Sequence, residues 1–179
     1  LWLGWFGFNA GSALAADHYA VNAFLVTNVA AATAALTWGI VSQIKTGKMG
    51  AVGVATGAVA GLVAITPAAG AVGVMGSIGI GLGAGLICFF AVEAMHSTGL
   101  DDALDVFAVH GIGGIWGALA TGIFTVSAIA GVDGLIESGS AAQLGKQALG
   151  VVGTMAYSGL ASLLILFILD KIPGLGLRA

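Results

Sequence analysis

The sequence predicts an all-α integral membrane protein of six transmembrane helices. Hydrophobic residues make up 59% of its 179 positions and charged ones 7%, where a soluble domain carries about 25% charged residues. Apolar runs recur six times between short polar breaks, and the mean hydropathy is +1.08. Glycine reaches 31 residues, more than double the usual ~7%, which suits a bundle of closely crossing helices.

The six runs follow in order. Leu1–Ala15 is apolar from its first residue and lacks a charged leader, so it is expected to be part of a transmembrane helix and not a signal peptide. On that reading the sequence is a fragment that starts inside a helix. Val21–Ile44 is stopped by Lys45-Thr46-Gly47-Lys48, and Ala51–Pro67 by its proline. Val72–Met95 gives way to Ser97–Asp105, whose polar residues supply helix N-caps for Val106–Val126. Leu149–Leu169 follows the longest polar connection, Gly131–Lys146.

Gly57-x3-Gly61, Gly81-x3-Gly85 and Gly113-x3-Gly117 share the small-residue spacing that lets helices approach closely. If the chain changes sides at each span, Lys45, Lys48, Lys171 and Arg178 share one side and Lys146 lies opposite. The positive-inside rule makes the first side, and with it the C-terminus, cytoplasmic.

The net charge of −3 includes no basic stripe to neutralise phosphates, so no nucleic-acid partner is expected. Cys88 stands alone in an apolar segment, where packing is its expected role. His18 and His96 lie near segment ends and lack metal-ligand spacing. Neither a metal nor a cofactor is expected.

His110 is the only ionisable residue in Val106–Val132, and a histidine at membrane depth is a functional-site candidate. On a helix Gly113, Gly114 and Gly117 follow on its face, leaving room for another helix or for a passing solute. The competing reading is a structural histidine bonded across a glycine seam.

The first segment offers a second candidate. Trp5, Phe8, Asn9 and Ser12 are spaced i, i+3, i+4 and i+7, giving one helix face two aromatics, an amide and a hydroxyl. A cation arriving from the outer end would meet the Ser12 hydroxyl first and aromatic faces next. An aromatic interfacial belt with interhelical hydrogen bonds explains the same pattern. Asp105 stands where a carboxylate caps the fifth helix. Asp101 and Asp102 read as solvated loop charges, and Glu93 as a residue that snorkels or pairs locally.

Other classes make distinct demands. A hydrolase pairing Ser12 with His110 needs a nucleophile elbow and an oxyanion hole, and the sequence around Ser12 has no such elbow, so no enzyme activity is expected. A binding sensor could use the same face without conduction, and a purely structural subunit would need neither candidate.

Three strings carry a resemblance. Gly-Trp-Phe-Gly-Phe-Asn-Ala-Gly-Ser at 4–12, Ala-Gly-Leu-Val-Ala-Ile-Thr-Pro-Ala at 60–68 and Asp-Val-Phe-Ala-Val-His-Gly at 105–111 resemble the ammonium transporter (Amt) family. The resemblance implies the sixth to eleventh helices of an eleven-helix subunit, meaning the second inverted repeat plus the final helix. It also implies a homotrimer in the plasma membrane with one pore per subunit. Ser12 resembles the serine of the outer ammonium site, Phe8 one of two gate phenylalanines, Trp5 a pore-lining tryptophan and His110 the second of twin pore histidines. Asn9 and Asp105 match positions read as structural. The substrate implied is ammonium, passed as ammonia, and PII-type signalling proteins are implied partners at the cytoplasmic face. An ammonium sensor and a Rhesus-type ammonia channel are the alternatives. The first five helices of such a subunit, and the other pore histidine, are not in this sequence.

Overall fold

A computed structural model describes residues 1–172. All six apolar runs are helical: α1 (Trp2–Asn9), α2 (His18–Thr46), α3 (Ala51–Ile65), α4 (Val74–Thr98), α5 (Ile112–Phe124, entered through a π turn at Phe107–Gly111) and α8 (Ala142–Asp170). Two one-turn helices, α6 (Ser127–Ala130) and α7 (Leu135–Ser138), occupy the connection before α8. Four helical stretches are long and apolar enough to span a membrane: α2, α4, the π turn with α5, and α8. The chain is a multi-pass membrane protein.

Several expected boundaries move. The first segment is helical over Trp2–Asn9, about 12 Å at ~1.5 Å per residue, and its helix ends six residues before Ala15. Its end is set by the Ser12 hydroxyl, which donates to the Phe8 carbonyl at 2.6 Å, and by a 3-10 turn over Gly11–Ala13. At the other extreme α8 begins seven residues before Leu149, because Ala142, Gln143, Leu144, Lys146 and Gln147 are good helix formers that hydropathy alone reads as a loop. Asp17 caps α2, accepting from Tyr19 and Ala20 backbone N–H groups at 3.0 and 3.1 Å.

Helix α3 packs against α1, α2, α4, the π turn and α5. Its glycines make this possible. A Cβ on Gly61 would lie 2.5 Å from the Ala30 carbonyl oxygen, and one on Gly57 would lie 2.5 Å from Trp38 Cβ. In α4, one side carries Gly81 and Gly85 against the Ala30 and Ala34 carbonyls, while Gly83 makes a notch for the Trp116 indole. That indole donates to the Ile80 carbonyl at 2.9 Å. Gly117 of α5 rests on Ala64, whose carbonyl oxygen would be 2.1 Å from an added Cβ. All three Gly-x3-Gly pairs therefore mark helix contacts, with van der Waals packing replacing side-chain bulk.

The ends of the bundle are also defined. Lys45 at the end of α2 pairs with Glu93 near the end of α4, 48 residues away, a long-range partner where a local one was expected. Val126, just past α5, donates its N–H to the Ala71 carbonyl at 2.9 Å. Leu144 packs on Gly122, which puts the start of α8 and Lys146 at the end opposite Lys45. Arg178, the last residue in the orientation argument, lies outside the described residues.

Candidate functional site

Helix α1 is fastened by its polar face. Trp5 Nε1 donates to Thr66 Oγ1 at 2.8 Å, and Thr66 passes its own proton to the Leu62 carbonyl at 2.8 Å. Asn9, which is buried, donates through Nδ2 to Thr27 Oγ1 of α2 at 3.0 Å. On the neighbouring side, Phe8, Asn9, Ser12, Tyr19, Thr66 and Gly70 are among the residues lining a cavity of about 280 Å³. At roughly 30 Å³ per water molecule this holds several small solutes. The Ser12 proton is committed to the Phe8 carbonyl, so the hydroxyl oxygen is left as an acceptor. Phe8 is 61% exposed, and its ring meets that of Trp5 edge-on with centroids 6.1 Å apart. An acceptor oxygen and a free aromatic face thus border one small, uncharged hollow.

His110 lies on the π turn, which together with Gly113 and Gly117 beyond it packs against α3. Gly113 packs on Cys88 Sγ and, more distantly, on the Ala60 carbonyl, while Cys88 itself reaches toward the Val109 carbonyl at 3.9 Å. Along α3, Ala60 is six residues from Thr66, about 9 Å. The order along α3 is therefore the cavity of Ser12 and Phe8 near Ala69 and Gly70, then Trp5 at Thr66, then the turn bearing His110.

Three expectations about this region need correction. Gly113 and Gly117 do not share an open face with His110: they are buried against α4 and α3, and only Gly114 has nothing within 4 Å of a Cβ position. The π turn, with its i+5 hydrogen bonding, breaks the 3.6-residue register on which the shared face was predicted. Within the described residues His110 is exposed and its ring makes no hydrogen bond, so this sequence by itself does not enclose it. Asp105, finally, does not cap the fifth helix. Asp102 does, accepting from the backbone N–H groups of Val106 at 2.8 Å and Phe107 at 2.9 Å. Asp105 instead has a left-handed backbone, φ +54°, and a carboxylate 2.8 Å from His96 Nε2.

The family model described as the Ammonium Transporter Family matches residues 1–179. The chain belongs to the ammonium transporter family. It is 47% identical over 175 residues to the ammonium transporter Amt1 of Archaeoglobus fulgidus, covering 98% of this chain and 44% of that protein. Among solved structures, Saccharomyces cerevisiae Mep2 superposes with a TM-score of 0.94 at 36% identity, over 100% of this chain and 41% of its own. Candida albicans Mep2 does so with a TM-score of 0.92 at 40% identity, again over 100% of this chain and 41% of its own. The chain thus spans less than half the length of the relatives it matches, and it shares their fold throughout.

Sequence reasoning missed two participants in this ammonium transporter segment. Thr66 stands in the string at 60–68 with no role assigned to it, and nothing local links it to Trp5, 61 positions away. His96 lies near the end of its segment as expected, in the last turn of α4, but its contact with Asp105 has no signal in the sequence.

Proposed function

We infer that the intact protein moves ammonium across the plasma membrane, and that this chain supplies one wall of the path. Ser12 and the exposed ring of Phe8 receive NH4+ through an acceptor oxygen and a π face. The ion gives up a proton to water at the hollow beneath Phe8, forming H3O+, and passes Trp5 as NH3. It then reaches His110, whose imidazole offers ring nitrogens as hydrogen-bonding groups. Deprotonation is the economical route, because a charge at the bilayer centre costs about 2.5 kcal/mol or more. Hydrated K+ or Na+ has no proton to shed and meets that cost in full.

The observation that carries this reading is the ordered arrangement along α3, with Ser12 and Phe8 at a hollow, Trp5 bonded to Thr66, and His110 on the π turn beyond. His110 is open on the side away from the core, where a second histidine from the remainder of the subunit completes the path. Family membership supports the remaining parts of the proposal. The chain is the second half of a subunit, the subunits form a homotrimer, the C-terminus is cytoplasmic, and a PII-type protein docks on that face. The protein catalyses no covalent reaction, and its relatives are named as transporters.

Uptake of isotope-labelled ammonium into proteoliposomes holding the intact protein tests the proposal. The expected result is saturable uptake that His110→Ala abolishes or reroutes into a cation leak. Uptake unchanged in His110→Ala would overturn the role assigned to His110. Ammonium-evoked current accompanying uptake distinguishes a returned proton from net NH3 movement.

A further inference from the structure

We propose that His96 is a positioning residue for His110, acting through Asp105; this rests on the transport reading above. His96 Nε2 and Asp105 Oδ1 are 2.8 Å apart and join the last turn of α4 to the residue that launches the π turn. Asp105 holds φ +54°, a left-handed conformation that L-residues adopt rarely and that aspartate tolerates better than most. Three contacts hold it there. Its N–H donates to the Asp102 carbonyl at 2.9 Å, its carbonyl accepts from Val109 N–H at 2.8 Å, and its carboxylate meets His96. The Val109 bond makes the connection short, since Val109 is the residue before His110.

The π turn is what makes the geometry matter. One residue of an α-helix corresponds to about 100° of rotation, so a turn that relaxes from π to α swings His110 by about that angle relative to α5. Asp102 satisfies the first N–H groups of the turn, and among the described residues His96 alone bonds the Asp105 side chain from outside the loop. Glu93, one turn earlier on α4, is engaged with Lys45 and leaves His96 to Asp105. The His96 side chain is 65% exposed, so truncating it removes this contact and little packing.

The test is ammonium uptake by the intact protein in proteoliposomes, with maximal rate and half-saturation measured separately. His96→Ala is expected to lower the maximal rate about fivefold, equivalent to about 1 kcal/mol, with half-saturation unchanged because the Ser12 hollow is untouched. His96→Gln keeps an N–H donor for the carboxylate and restores most of the rate. Asp105→Gly, which permits the backbone angle without the side chain, lowers the rate by a similar factor, and adding His96→Ala to it changes nothing more. A native rate in His96→Ala, or a full further loss in the Asp105→Gly background, overturns the proposal. If the His96→Ala protein is not recovered, Asp105→Gly alone decides: a fivefold loss supports the proposal and a native rate refutes it. His110→Ala run in parallel separates the two levels. If it abolishes uptake while His96→Ala is silent, only the positioning role fails; if it is silent, the role assigned to His110 fails and takes the positioning role with it.

Discussion

Trp5 and Thr66, 61 residues apart, are joined by a 2.8 Å hydrogen bond that ties α1 to the end of α3. Thr66→Val keeps the shape of the side chain and removes the acceptor, leaving a half-buried indole N–H without a partner. A loss of about 1–3 kcal/mol is expected for such an orphaned donor. It should appear as a lower melting temperature of the detergent-solubilised protein, and Thr66→Ser should restore it.

Gly117 and Gly114 make a matched pair for packing. Gly117→Ala drives a methyl into the Ala64 carbonyl, whereas Gly114→Ala meets nothing within 4 Å. The first is expected to cost at least about 1–3 kcal/mol, as overpacking does, and the second to be near neutral. Thermal unfolding of both variants checks the contrast, and equal melting temperatures would contradict the tight α3–α5 contact.

Asp102 holds the start of the π turn through two backbone N–H groups. Asp102→Ala should destabilise by about 0.5–2 kcal/mol, the usual range for a lost cap, and Asp102→Asn by less. Hydrogen exchange at Val106 and Phe107 provides the local readout: faster exchange in Asp102→Ala, with α2 amides unaffected.

Ser12 accepts at the hollow while its own proton serves the Phe8 carbonyl. Ser12→Ala is expected to raise the half-saturation concentration for ammonium about threefold to tenfold, the equivalent of one hydrogen bond of about 0.5–1.5 kcal/mol. The maximal rate should change little. A lowered maximal rate at unchanged half-saturation would place Ser12 after the recruitment step.

The helical order and the close crossings were legible because both rest on repeating patterns. Apolar runs give segments, and Gly57, Gly61, Gly81, Gly85, Gly113 and Gly117 give contacts through their spacing alone. The site was legible in part: Trp5, Phe8 and Asn9 lie on α1, where 3.6-residue periodicity holds, while Ser12 stands on the 3-10 turn that follows it. His110 lost its predicted neighbours because a π turn has no periodic signature. Asp105 and Asp102 differ only in which lies ahead of the turn with the right backbone angle, and composition carries no information on φ. The Trp5–Thr66 and His96–Asp105 contacts depend on helices meeting in space, which no single segment encodes.

Helix α3 has 15 residues beside the 29 of α2. Its first turn sits at Trp38, whose indole would be 3.0 Å from a Cβ on Gly53, so α2 continues eight residues, about 12 Å, past that level. The buried residues of α3 run from Gly57 to Ile65, a wall about 12 Å tall against a hydrocarbon core about 30 Å thick. Where water reaches the exposed first turn of α3, the insulating layer along this wall is thinner than the bilayer, and the membrane voltage falls across that thinner section. A charge transferred within it would sense a steeper field than one crossing open bilayer, at the same total work of about 2.3 kcal/mol per 100 mV.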